Sequence, residues 1–99
     1  MKRHEHLLDI LAEECCEVAV RASKAMRFTL SEIQPGQPST NAQRLMDEIH
    51  DVFAMVELLE EEGLIRSHSD EARAQAIAAK KEKVERFLEL SRKEGTLEE

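Results

Sequence analysis

Two acidic clusters, Glu13-Glu14-Cys15-Cys16-Glu17 and Asp47-Glu48-Ile49-His50-Asp51, each hold two carboxylates three residues apart. On a helix that spacing returns the side chain to within about one-sixth of a turn, so Glu14 and Glu17 share a flank, and so do Glu48 and Asp51. Two such helices packed together bring four carboxylates to one place. Like charges at that range repel, and a divalent cation relieves the repulsion. Hard oxygen donors favour Mg²⁺, with Mn²⁺ as the alternative. A cation held this way can bridge phosphate oxygens and lower the pKa of a bound water, which is the chemistry of phosphoryl transfer.

The elements that must position these groups are legible as amphipathic helices. Residues from about His4 to Phe28 contain neither Gly nor Pro and carry a stripe of Leu7, Leu11, Cys15, Val18, Ala22 and Met26, widened by Leu8 and Ala19. Glu14 falls on its margin, with Glu17 further round. A loop from Thr29 to Asn41, with Gln34-Pro35-Gly36-Gln37-Pro38-Ser39 at its centre, separates this helix from the next. Thr40 with Gln43 reads as a capping box, which starts the second helix near Asn41. Its stripe is Leu45, Ile49, Val52, Phe53, Val56 and Leu59, and Glu48 and Asp51 occupy the matching flank. Taken alone, either acidic pair is ordinary solvated surface. Two pairs on equivalent flanks of adjacent helices point to a site.

Gly63 stops the second helix, and Ser69 followed by Asp70 and Glu71 opens a third that runs to about Glu94, with Gly95 as terminator. Its stripe of Ile77, Val84, Phe87, Leu88 and Ser91 is interrupted by Lys80 and Lys81, and Lys83 extends the basic edge. Residues 1–95 are expected to form one helical domain and 96–99 a short flexible tail. Arg21 and Lys24, on the Glu14 flank, together with Lys80 and Lys83, are candidates to neutralise a polyphosphate; each is also suited to an ordinary surface ion pair. Phe28, beside the loop, is a candidate to stack on a base, with core packing as the simpler role.

Composition narrows the partners. At 99 residues and 41% hydrophobic content the chain has room for one small core. A net charge of −7, and the absence of Trp and Tyr, argue against nucleic-acid binding. The polar start Met1-Lys2-Arg3-His4-Glu5-His6 does not resemble a signal peptide, and no apolar run reaches spanning length, so a cytoplasmic location without membrane contact is expected. Cys15 and Cys16 are adjacent on one helix and read as reduced thiols. Three helices with Ala-rich, partly charged stripes make a thin core, which predicts self-association into a helical bundle.

The EExxE run Glu13 to Glu17, a Pro/Gly loop and then Glu48-Ile49-His50-Asp51 as ExxD together resemble the MazG-like members of the all-α nucleotide pyrophosphohydrolases. The stretches Ala22 to Phe28 and Lys83 to Leu88 look like those of short stand-alone, phage-type members, and the likeness spans roughly residues 5 to 93. The resemblance implies an all-α protomer in a homodimer or homotetramer. The implied reaction is Mg²⁺-dependent cleavage of a nucleoside triphosphate between the α and β phosphates, giving a monophosphate and pyrophosphate. It makes Glu14, Glu17, Glu48 and Asp51 the metal ligands and Glu13 an accessory catalytic acid. Thirty residues lie between Glu17 and Glu48, slightly more than the family interval, and the extra length falls in the loop.

Two other readings compete. A carboxylate-bridged di-iron bundle requires Glu-x-x-His pairs, and the sequence has none. A non-enzymatic helical adaptor whose acidic flank binds a basic partner has no reason to keep four carboxylates at metal-ligand spacing; a nucleotide-binding protein on the same fold is the other alternative.

Overall fold

The computed structural model describes residues 1–98. It contains three helices, α1 (Arg3–Phe28), α2 (Asn41–Glu61) and α3 (Asp70–Lys93), and no strand among the described residues. The all-α expectation and the helix boundaries hold to within a residue or two. By contacts the chain forms two compact units, Met1–Ile65 and a second that begins at Arg66.

The first unit is an antiparallel hairpin of α1 and α2, pinned at both ends. At one end the Arg3 guanidinium donates to both carboxylate oxygens of Glu62, with Nη2 to Oε2 at 2.7 Å. At the other, Asn41 Nδ2 donates to the Thr29 carbonyl at 2.8 Å. Between these ends, α1 turns Leu7, Leu11, Glu14, Val18, Arg21 and Ala25 inward, and α2 turns Asn41, Leu45, Glu48, Val52, Met55 and Leu59 inward; all are buried or half-buried. The alternating steps of four and three are those of a coiled-coil seam. Leu59 is fully buried and Leu7 and Ala25 nearly so, and each Leu contributes about 1.5–3 kcal/mol by leaving water.

That seam corrects the helical-wheel reading. Of the expected α1 stripe, Cys15, Ala22 and Met26 are exposed, Met26 at 87%, and on α2 Phe53 is 53% exposed. The stripe straddles two seams set about 100° apart on α1, and α2 covers only one of them. Glu14 consequently sits within the packed seam and not at its margin.

The connection between the helices is fastened to the start of α2. Backbone N–H groups of Asn41 and Ala42 donate to the carbonyls of Glu32 and Leu30, each at 2.9 Å. The Thr40–Gln43 capping box forms as expected: Gln43 N–H donates to Thr40 Oγ1 at 3.1 Å, and Thr40 N–H donates to Gln43 Oε1 at 2.8 Å. Thr29 leaves α1 at φ 71° and ψ 158°, a region that costs a β-branched residue on the order of 1–3 kcal/mol. The buried Asn41 amide holds that conformation through the Thr29 carbonyl. Gly63, at φ 73°, closes α2 in a Schellman turn, with Leu64 N–H donating to the Leu59 carbonyl at 3.0 Å.

In the second unit Ser69 Oγ accepts from Ala72 N–H at 3.0 Å and opens α3, as its sequence predicts. Asp70 and Glu71 in the first turn and Arg92 and Lys93 in the last complement the helix dipole. No residue of α3 is buried. Of the expected tail, Thr96 and Leu97 fold back so that their N–H groups donate to the Ser91 carbonyl, completing the helix cap; Glu99 lies outside the described residues.

Candidate metal centre

Midway along the hairpin the apolar seam is interrupted. Glu14 from α1 and Glu48 from α2 take up seam positions, and Asp51 stands one turn on from Glu48. One carboxylate oxygen from each of the three lies within 4.8 Å of the others. Oxygens sharing one cation are separated by at most twice the bond length, which is about 4.2 Å for Mg²⁺ and about 5 Å for Ca²⁺. The trio therefore fits a divalent cation with little side-chain adjustment. Glu14 and Glu48 are half-buried and Asp51 is exposed, which leaves an open side for water or a ligand oxygen. Among the described residues no His or Cys joins this group, in keeping with a hard-cation site.

The electrostatics report the crowding. Partial burial, followed by the negative charges of Asp51, Glu48, Glu13 and Glu17, raises the Glu14 carboxyl above its ordinary value. Partial burial, the charges of Asp51 and Glu17, and a hydrogen bond that protonated Glu48 donates to Asp51 raise Glu48 likewise, while the Arg21 charge pulls it down. Both carboxyls hold a proton more readily than an isolated carboxyl does.

The structure brings together three of the four expected ligands. Glu17 is exposed and outside the 4.8 Å group, yet near enough for its charge to act on Glu14 and Glu48. Glu13 is exposed and acts on Glu14 through its charge. Arg21 is half-buried in the seam, close enough to Glu48 to oppose its protonation, and Lys24 is half-buried one turn on. Phe28 is 40% exposed, with the Arg27 guanidinium 5.4 Å from its ring centroid. Lys80 and Lys83 belong to α3, where the Lys83 ammonium lies 5.7 Å from the Phe87 ring centroid.

Sequence reasoning passed over Asn41, noted only as the first residue of a helix. It is 2% exposed, and its Oδ1 is buried without a hydrogen-bond partner. A heptad count back from Glu48 would have found it, since Asn41 occupies the same seam position two turns earlier. Compared with protein-family models, with curated proteins and with solved structures, the chain matches none.

Proposed function

We propose that this chain is a Mg²⁺-dependent nucleoside triphosphate pyrophosphohydrolase of the MazG-like kind. The observation that carries the reading is the convergence of Glu14, Glu48 and Asp51 from two helices, at the point where an otherwise apolar seam gives way to charge. Apolar side chains there would stabilise the hairpin better than crowded carboxylates do, so the charges have a use other than packing.

In this reading Glu14, Glu48 and Asp51 would hold the cation, with Glu17, one turn from Glu14, as a further ligand. The bound ion supplies charge neutralisation at the phosphate oxygens and acidifies a water. Glu13, exposed beside the cluster, would serve as the accessory acid–base group there. Arg21, already facing Glu48, and Lys24 neutralise the outlying phosphates. Phe28, with Arg27 over its ring, offers a face to a base.

³¹P NMR of the protein with a panel of ribo- and deoxyribonucleoside triphosphates tests the reaction. The expected result is monophosphate and pyrophosphate formed with Mg²⁺ and not with EDTA. Orthophosphate and a diphosphate as products would replace the proposed bond cleavage with another. Silence across the panel, with no thermal stabilisation by metal, would favour the adaptor.

A further inference from the structure

The carboxylates of α2 have a basic neighbour that no motif singles out. Arg44, Glu48 and Asp51 follow one another at steps of four and three, so they stand in one row along one flank of the helix. On α1 the row Glu14, Glu17, Arg21 and Lys24 has the same spacing. The approach of Glu14 to Glu48 and Asp51 shows that the two rows meet on one side of the hairpin. In the antiparallel register set by the Arg3–Glu62 and Thr29–Asn41 contacts, Arg44 is level with the stretch from Arg21 to Lys24. Both rows therefore change sign in the same direction, from carboxylates at the middle of the hairpin to three cations on its loop side.

The three cations are half-buried. Elsewhere Arg3, Arg86 and Arg92 are ion-paired, with Glu62, Glu82 and Glu89. Among the described residues no carboxylate stands within ion-pair distance of Arg21, Lys24 or Arg44. Arg44 is four residues before Glu48, within reach of it along the helix, yet its guanidinium turns to the loop. There its Nη1 donates to the Gln34 Oε1 at 3.3 Å, a long bond to a neutral acceptor. Like charges gathered and partly desolvated cost free energy unless an anion joins them. A guanidinium fork matches the oxygens of a phosphate, and an ammonium adds a point charge. Four residues, about 6 Å of helical rise, separate Arg44 from Glu48 and Arg21 from Glu17, a step that neighbouring phosphates of one chain can bridge.

We infer that Arg44 joins Arg21 and Lys24 in an oligophosphate subsite on the loop side of the carboxylates, with Arg44 exchanging its Gln34 contact for a phosphate oxygen. This rests on the proposed hydrolase reading for the identity of the substrate, and on the placement of the three cations for the site itself.

Isothermal titration calorimetry with inorganic pyrophosphate, in EDTA and again in Mg²⁺, tests it on the wild type, Arg44→Gln and Arg86→Gln. Arg86, exposed on α3 and paired with Glu82, controls for the loss of one positive charge. The expected result is saturable binding of one pyrophosphate per chain, at least tenfold weaker in Arg44→Gln and unchanged in Arg86→Gln. Equal binding by the wild type and a folded Arg44→Gln overturns the inference, and so does a wild type that binds no pyrophosphate in either buffer. Should circular dichroism show Arg44→Gln unfolded, Arg44→Met, which keeps an apolar stem, takes its place. Nucleoside triphosphate turnover separates this subsite from the reaction. Pyrophosphate bound through Arg44 by a protein that cleaves no triphosphate keeps the subsite and removes the hydrolase, whereas turnover by Arg44→Gln at the wild-type KM keeps the hydrolase and removes the subsite.

Discussion

The ends and the middle of the α1–α2 seam are built on the same periodicity and do opposite things. At one end Leu7 and Leu59 are buried apolar groups and Arg3 pairs with Glu62; at the other Ala25 is buried and Asn41 Nδ2 donates to the Thr29 carbonyl. In the middle, Glu14 and Glu48 hold the same kind of seam position, yet their charges oppose one another and Asp51, with Arg21 as a partial counterweight. A hairpin selected only for stability would be uniform along its length. The contrast teaches that the ends hold the two helices in register although like charges crowd the middle, the crowding that the proposed cation would relieve.

The largest expected effect breaks the middle and leaves the ends alone. Glu48→Gln should abolish pyrophosphate release while far-ultraviolet circular dichroism stays that of the wild type, because an amide is a poor ligand for a hard cation. Wild-type turnover in that variant would remove Glu48 from the site. The converse change, Leu59→Ala, strikes an end. Truncating a fully buried Leu should cost about 2–5 kcal/mol in urea unfolding at fixed protein concentration, and a loss well under 1 kcal/mol would mean that the seam ends do not carry the hairpin.

Thr29→Gly has a smaller effect. Glycine relieves the positive φ but adds unfolded-state entropy, so the expected net gain is about 1 kcal/mol or less. A marked destabilisation would show that the Thr29 side chain has a role beyond its backbone.

The smallest effect is a slope. Glu14 and Glu48 have folded pKa values above their unfolded ones. The stability they gain from protonation is therefore fully present below the unfolded carboxyl value and is lost as pH rises through the raised folded values. Glu62, lowered by its hydrogen bond from Arg3, runs the other way: its contribution is present above its unfolded pKa and is lost as pH falls through the lowered one. Melting curves in EDTA should accordingly show Glu48→Gln more stable than the wild type near neutral pH, with the gap closing as pH falls toward the ordinary carboxylate range. Glu62→Gln should instead lose stability near neutral pH. A pH-independent gap for Glu48→Gln would contradict the crowding.

Much of this is legible in the sequence. Local signals with a single physical meaning gave the helix limits: Thr40 with Gln43, Ser69, Gly63 and Gly95 each stop or start a helix by satisfying particular backbone groups. The three-residue spacing of Glu48 and Asp51 was equally local. What the residues did not reveal singly was which of two neighbouring seams on α1 would face α2. Leu7, Leu11 and Val18 belong to one, Leu8, Cys15 and Ala22 to the other, and both are apolar enough to bury. The choice depends on the register of α2, a long-range property set by the Arg3–Glu62 and Thr29–Asn41 contacts. For the same reason Glu14 came closer to Glu48 and Asp51 than its sequence partner Glu17 did, and the burial of Asn41 went unnoticed.

The most direct test of the central claim, that the middle of the hairpin is a cation site, is titration of the protein with Mn²⁺ followed by electron paramagnetic resonance of the free ion. The account predicts saturable loss of the free Mn²⁺ signal with the wild type, competition by Mg²⁺, and little binding by Glu14→Gln or Glu48→Gln, both folded. Equal Mn²⁺ uptake by the wild type and the two variants, or none by any of them, would contradict it.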